Sequence, residues 1–296
     1  MKNNTFIPTV TQLGREGAKK TAPGELFIAQ FTDGSYAVID GGLNDPTDEK
    51  ALWNFIRENY PHKDEKPRVS WMFTHAHCDH MHLALSFLEH YSENIVLERV
   101  CYNFPDFGNV SITRENEGSV ADCARSSAKI DELLSTKYQS AEKIIFHTGD
   151  VLKFPECDVE ILYTHEDFST EEFPWVNHTS SAWKMTFFTG KSFLVPGDCE
   201  SSLCAQMAEK YGEKLKSDLF HTTHHGFNGG QLDFYRYADP TVCFWTVDTL
   251  RFETDTRCLG TKSENYPFNL WIRANCDRHY PADVTVTIDM RTLEEI

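Results

Sequence analysis

Between Val69 and Met81 the chain reads VSWMFTHAHCDHM, and the six residues His75 to His80 carry three histidines and an aspartate directly behind an apolar run. Imidazole and carboxylate are the groups that zinc and similar divalent ions prefer, and crowding them without a cation costs free energy through desolvation. A lone histidine at a strand end is commonly a hydrogen-bonded surface group. Four potential ligands, His75, His77, Asp79 and His80, at spacing i, i+2, i+4 and i+5 predict a metal site instead.

The flanks set the geometry of this cluster. VSWMF reads as a buried strand, and in MHLALSFLEHY the residues Met81, Leu85 and Leu88 share one helical face, so the cluster falls at a strand-to-helix junction. On an extended segment alternate side chains point the same way, which puts His75, His77 and Asp79 on one side, while the turn into the helix redirects His80. Two ions a few ångströms apart are then within reach of one hexapeptide. Six residues cannot close two coordination shells, so further ligands are expected downstream. NHTSSAWKMTFFTGKSFLVPGDCE offers His178 before a β-run, a turn at Thr189 and Gly190, and a returning run that ends at Asp198. LFHTTHHGFNGG offers His221, His224 and His225, followed by glycines that let the backbone pass close to a site.

The remainder of the chain supports one soluble α/β domain spanning residues 1–296. ELFIAQF and SYAVID read as two β-runs joined by a TDG turn, the second running into Asp40-Gly41-Gly42. TDEKALWNFIRENY carries acidic residues in its first turn and Leu52, Phe55 and Ile56 at helical spacing before Pro61 stops it. There is no internal repeat or low-complexity tract, and 296 residues with 40% hydrophobic content are enough for one large core. No apolar run approaches a membrane span and MKNNTFIPTV lacks the order of a signal peptide, which reads as cytoplasmic. Nine cysteines without close pairing read as reduced packing thiols, Cys78 and Cys199 beside the candidate ligands included. A formal charge of -17 repels polyanions, so a small molecule is a better expected partner than long nucleic acid.

Taken in order, the DGG at Asp40, THAHCDH, NHTSS with its hairpin into GD, and HHG resemble the metallo-β-lactamase-fold hydrolase superfamily over about Leu26 to Gly230. In motif style they look like the hydrolase domain of competence-type DNA-uptake proteins and phosphorylcholine-esterase-like relatives. The resemblance implies a four-layer αββα sandwich of two mixed sheets flanked by helices, with VCFWTVD and DVTVTID as further strands. It also implies two divalent ions, zinc first, with manganese or iron as alternatives. His75, His77 and His178 would hold one ion, and Asp79, His80 and His224 the other. Asp198 would bridge them, Asp40 would be buried behind the ligands, and His225 would lie beside the substrate. His82 departs from the pattern, since similar proteins often have a glycine nearby; lining the pocket or capping the helix are both open to it. His165 competes with His178 for the third position but does not precede the hairpin, and His147 reads as structural.

Paired ions imply hydrolysis by a metal-bridging hydroxide, because two cations sharing a water lower its pKa toward neutrality. Asp79 would orient the nucleophile and carry a proton, and His225 or His221 would serve the leaving group. No GxSxG elbow or phosphate-cradling loop suggests another mechanism. The motif style points to a small phosphodiester. A lactonase or thioesterase on the same centre, or a non-catalytic metal-binding member, are the alternatives. Protein purified without chelator is expected to carry two divalent ions per chain by elemental analysis, and a reproducible content of one or none contradicts the binuclear assignment.

Overall fold

The computed structural model describes residues 7–17, 24–113, 117–168, 172–227, 229–255 and 268–296. Strand Leu26–Gln30 is apolar nearly throughout because both of its faces are covered. Phe27 and Ala29 face a second sheet, while Leu26 and Ile28 face helices. Strand Tyr36–Asp40 behaves alike, with Ala37 and Ile39 in the inter-sheet core and Tyr36 and Val38 on the helical side. Strands buried on one face alternate in polarity; strands buried on both do not.

Two seven-stranded sheets result. In the first the order is Val286–Asp289, Thr9–Gln12, Leu26–Gln30, Tyr36–Asp40, Arg68–Met72, Val96–Tyr102, Glu142–Ile145. It is antiparallel as far as Tyr36–Asp40 and parallel beyond. The second runs Arg278–Pro281, Val242–Trp245, Leu219–His221, Ser192–Val195, Ala182–Phe187, Cys157–Tyr163, Val151–Phe154. Its first four strands are parallel and the rest antiparallel. The hairpin expected around Gly190 is Ala182–Phe187 with Ser192–Val195, and Gly190 takes the left-handed φ of 86° that its turn needs.

The sheets pack face to face through aromatic side chains, Phe27 meeting Phe193 edge-on with ring centroids 5.3 Å apart and Phe244 at 5.4 Å. Helices Pro46–Asn59, Cys78–His90 and Glu117–Thr136 cover the first sheet through Leu52, Ile56, Met81, Leu88, Ile130 and Leu133. Helices Ser201–Tyr211, Leu232–Ala238 and Phe268–Asn275 cover the second through Leu203, Met207, Phe234, Tyr235 and Ile272. The layers are therefore helix, sheet, sheet, helix. The eight described cysteines are thiols rather than disulfide halves, and all but the half-buried Cys78 are buried; Cys258 lies outside the described residues. Among the described residues no helix is long and apolar enough to cross a membrane.

Helix Pro46–Asn59 starts as its sequence dictates, with Pro46 at the first position and the Asp45 side chain accepting from Thr47 N–H at 2.9 Å. Helix Cys78–His90 starts earlier than the periodicity from Met81 indicates. His77 is its cap residue, and its carbonyl accepts from the N–H groups of His80 and Met81. Asp79 consequently stands in the first helical turn rather than on an extended segment, because only five residues separate the end of strand Arg68–Met72 from the helix start at Cys78. The parallel strands of both sheets end on one edge of the sandwich, the usual ligand edge of an α/β sheet. There Asp40, His75 to His80, Asp198, His221 to His225 and Thr246 follow their respective strands.

Close approach of helix Cys78–His90 to that edge depends on Gly41, where an added Cβ would fall 2.5 Å from Ala84 Cβ and 2.6 Å from Ala84 N. Helix backbone cannot yield as a flexible side chain can. Gly41→Ala is expected to destabilise the protein by about 1–3 kcal/mol, the usual cost of overpacking, measurable as a lowered midpoint in thermal or urea unfolding. An unchanged midpoint would mean that the helix has room to shift.

Candidate metal centre

His75, fully buried, leaves the end of strand Arg68–Met72 with its Nε2 3.1 Å from His77 Nδ1 and 3.8 Å from Asp198 Oδ2. His77, Asp198 and His75 form one group whose ligand atoms lie within 4.8 Å of one another. Asp79, His80 and His225 form a second such group. His225 Nε2 is 3.2 Å from Asp79 Oδ2 and 3.6 Å from Asp198 Oδ2, and His80 Nε2 is 3.3 Å from Asp198 Oδ1. Asp198 thus stands between the groups, its two oxygens turned to members of both.

Buried partners support these rings from behind. Asp40 accepts from Thr74 N–H at 2.8 Å and Thr74 Oγ1–H at 2.6 Å, and lies 2.7 Å from His80 Nδ1. Thr246 Oγ1 is 2.6 Å from His225 Nδ1. An N–H on the bonded Nδ1 of each ring turns the Nε2 lone pair toward the centre, the arrangement a metal-ligating histidine needs.

Electrostatics shows what the cluster lacks. Burial opposes ionisation of Asp198, yet His225, His80 and His224 hold it well below the usual carboxylate range. Asp79 is likewise lowered, its burial outweighed by the hydrogen bond from His225 and the charge of His80. Burial would lower His80, but Asp198 and Asp40 on either side raise it well above the usual histidine value. A proton on His80 therefore supplies positive charge that a cation would supply better. Asp198 Oδ1 and His80 Nε2, both buried, make no aligned hydrogen bond. Convergent imidazole nitrogens and carboxylate oxygens with such atoms among them fit divalent metal ions.

No protein-family model matches the sequence, and no curated protein matches it. Solved structures do. The metallo-beta-lactamase fold protein YhfI from Bacillus subtilis matches over 95% of this chain and 99% of its own, with a TM-score of 0.52 at 10% identity. The chain has the metallo-β-lactamase fold. CmlA, a diiron beta-hydroxylase from Streptomyces venezuelae, matches 96% of the chain with a TM-score of 0.53 at 12% identity, and this chain spans 54% of CmlA.

Within the metallo-β-lactamase fold seen here, His225 rather than His224 joins Asp79 and His80 in the second group. His225 is buried among the second group, while His224 has a side chain 17% exposed and lies 3.0 Å from Asn177 Nδ2 through its Nε2 and 3.8 Å from Asp198. The cause is backbone: His224, His225 and Gly226 take φ of 48°, 57° and 81° in succession, a left-handed turn that swings the second histidine inward. A Cβ at Gly226 would strike the Trp245 ring at 2.4 Å, so only glycine completes that turn. His178 belongs to neither group; it is buried with Nε2 3.7 Å from Glu200 Oε2 and its ring edge-on to Phe168.

His221, expected near the leaving group, is fully buried and faces Glu25 at 3.1 Å, so it cannot touch substrate. His165 bonds to Asn103 at 2.9 Å and His147 to Glu166 at 2.6 Å, outside both groups. His82 neither lines the centre nor caps its helix but pairs with Asp122 of helix Glu117–Thr136 at 2.9 Å. Sequence reasoning missed Glu25 and Thr246, which no motif marks, and passed over Asn177 although it opens the NHTSS motif. His225→Ala is expected to remove one ion and His224→Ala to leave both, by elemental analysis of the purified variants; the opposite result would return the ligand role to His224.

Proposed function

We propose that the chain is a metal-dependent hydrolase with a two-ion centre, in which Asp198 is shared. His75 and His77 serve one ion; His178, which the sequence resemblance offers as their third histidine, stands outside the group they form with Asp198. Asp79, His80 and His225 serve the other. The observation that carries this reading is the position of Asp198, within 4 Å of His75 on one side and of His80 and His225 on the other. Two divalent ions held there would supply an activated water near neutral pH and polarise the substrate's oxygen.

The protein's own groups divide the remaining tasks. Asp79, a fifth exposed and held anionic, is the partly exposed carboxylate of the second group and would orient the attacking water. His224 is pushed down to about 4, chiefly by burial, and is neutral at pH 7. It therefore orients a substrate oxygen by hydrogen bonding, steadied by Asn177, and does not deliver a proton as an imidazolium. His225, the expected leaving-group residue, acts instead as a ligand.

For the substrate we propose a small phosphodiester, supported by the NHTSS and HHG motif style and by the charge of -17, which disfavours long polyanions. Removing metal with a chelator should abolish turnover and lower the melting temperature, and added Zn2+ should restore both. Metal-loaded protein assayed on an aryl phosphodiester, a lactone, a thioester and a β-lactam, with His80→Ala as blank, is expected to turn over the phosphodiester fastest. Preference for the lactone or thioester would replace the substrate class and keep the hydrolase.

A further inference from the structure

Glu25 immediately precedes strand Leu26–Gln30, is 0% exposed, and has no donor at hydrogen-bonding geometry on either carboxylate oxygen. Its ionic contacts are His221 Nε2 at 3.1 Å and His80 Nδ1 at 3.7 Å. The backbone around it is equally directed. Glu25 N–H donates to the Asp79 carbonyl at 3.1 Å, and Gly24 N–H donates to the Thr246 carbonyl at 3.2 Å. Thr246 in turn holds His225 Nδ1 at 2.6 Å and lies 3.4 Å from His221 Nε2.

These two residues therefore reach every member of the second ligand group: Asp79 through its backbone, His80 through the Glu25 carboxylate, and His225 through Thr246. They touch neither His75 nor His77 in any described contact. His221 closes the arrangement, lying between Glu25 and Thr246 with its ring packed edge-on to Phe27 of the inter-sheet core. A buried carboxylate kept at this depth without aligned hydrogen bonds is costly where it only fills space.

We propose that Glu25, with His221 and Thr246 as its partners, is the positioning residue for the second ion, fixing Asp79, His80 and His225 as one unit. The inference rests on the two-ion reading above. Outer partners of metal ligands typically alter affinity by about 10–100-fold. Glu25→Leu should weaken the second ion by that factor and leave the first bound as in the wild type. Glu25→Gln, which keeps an oxygen facing His221, should recover most of the loss. Thr246→Val, which keeps the shape but not the hydroxyl, should reproduce the selective loss should Glu25→Leu fail to fold.

The experiment titrates metal-free protein with Co2+ and follows the visible absorption and the bound stoichiometry, which report the two sites without any substrate. Weakening of one step in Glu25→Leu or Thr246→Val, with the other step and its spectrum unchanged and recovery in Glu25→Gln, supports the proposal. Unchanged binding in both disruptive variants, equal weakening of both steps, or no recovery in Glu25→Gln overturns it. A third ion in the wild type that vanishes in Glu25→Leu also overturns it, making Glu25, Asp40 and His80 ligands themselves. Fewer than two ions in the wild type would refute the two-ion reading before any variant is compared.

Discussion

Negative charge that is taken out of water must be matched, and the edge where the two sheets meet is organised around that requirement. Asp198 is 1% exposed and Asp40 is fully buried, and neither could stand there without cationic or donating neighbours. The histidines come to them from the ends of parallel strands in both sheets, so the sandwich must close for the match to be made. Asp40 is satisfied within the protein by Thr74 and His80. Asp198 is not satisfied in the same way: its Oδ1 has histidine nitrogen nearby but no aligned hydrogen bond. One carboxylate is satisfied within the chain, and the other fits the ligand role proposed for it.

Backbone strain is concentrated in the same place. Asp40, His224 and His225 are non-glycine residues with φ of 53°, 48° and 57°. Each such conformation costs on the order of 1 kcal/mol and persists where surrounding contacts overdetermine it. At Asp40 those contacts are the bonds from Thr74 and the Trp71 Nε1–H donated to the Asp40 carbonyl at 3.0 Å. At His224 the N–H donates to the Gly197 carbonyl, which ties the left-handed turn to the loop that carries Asp198.

Much of this architecture is legible in the residues themselves. Apolar runs such as LFIA and YAVI mark strands, and the crowding of His75, His77, Asp79 and His80 marks the sheet edge where both candidate groups form. The order of His224 and His225 is not legible, because it depends on three successive left-handed residues and both histidines are chemically equal in the sequence. Glu25 is hidden for another reason: PGEL reads as a turn entering a strand, and nothing local tells that the glutamate will be enclosed between two sheets. The helix start at Cys78 escaped because apolar periodicity marks the buried face of a helix and not its polar first turn.

Each ligand group draws two residues from His75 to His80 and its third from the second sheet, at Asp198 or His225. Between His80 and Asp198 lie about 120 residues of chain, so an ion bound by both ends is a non-covalent cross-link over a long loop. In the chain-entropy description, a covalent link closing a 100-residue loop restricts the unfolded ensemble by about 4–5 kcal/mol. A pair of such reversible clasps at one edge would make unzipping of the two sheets a slow event governed by metal release.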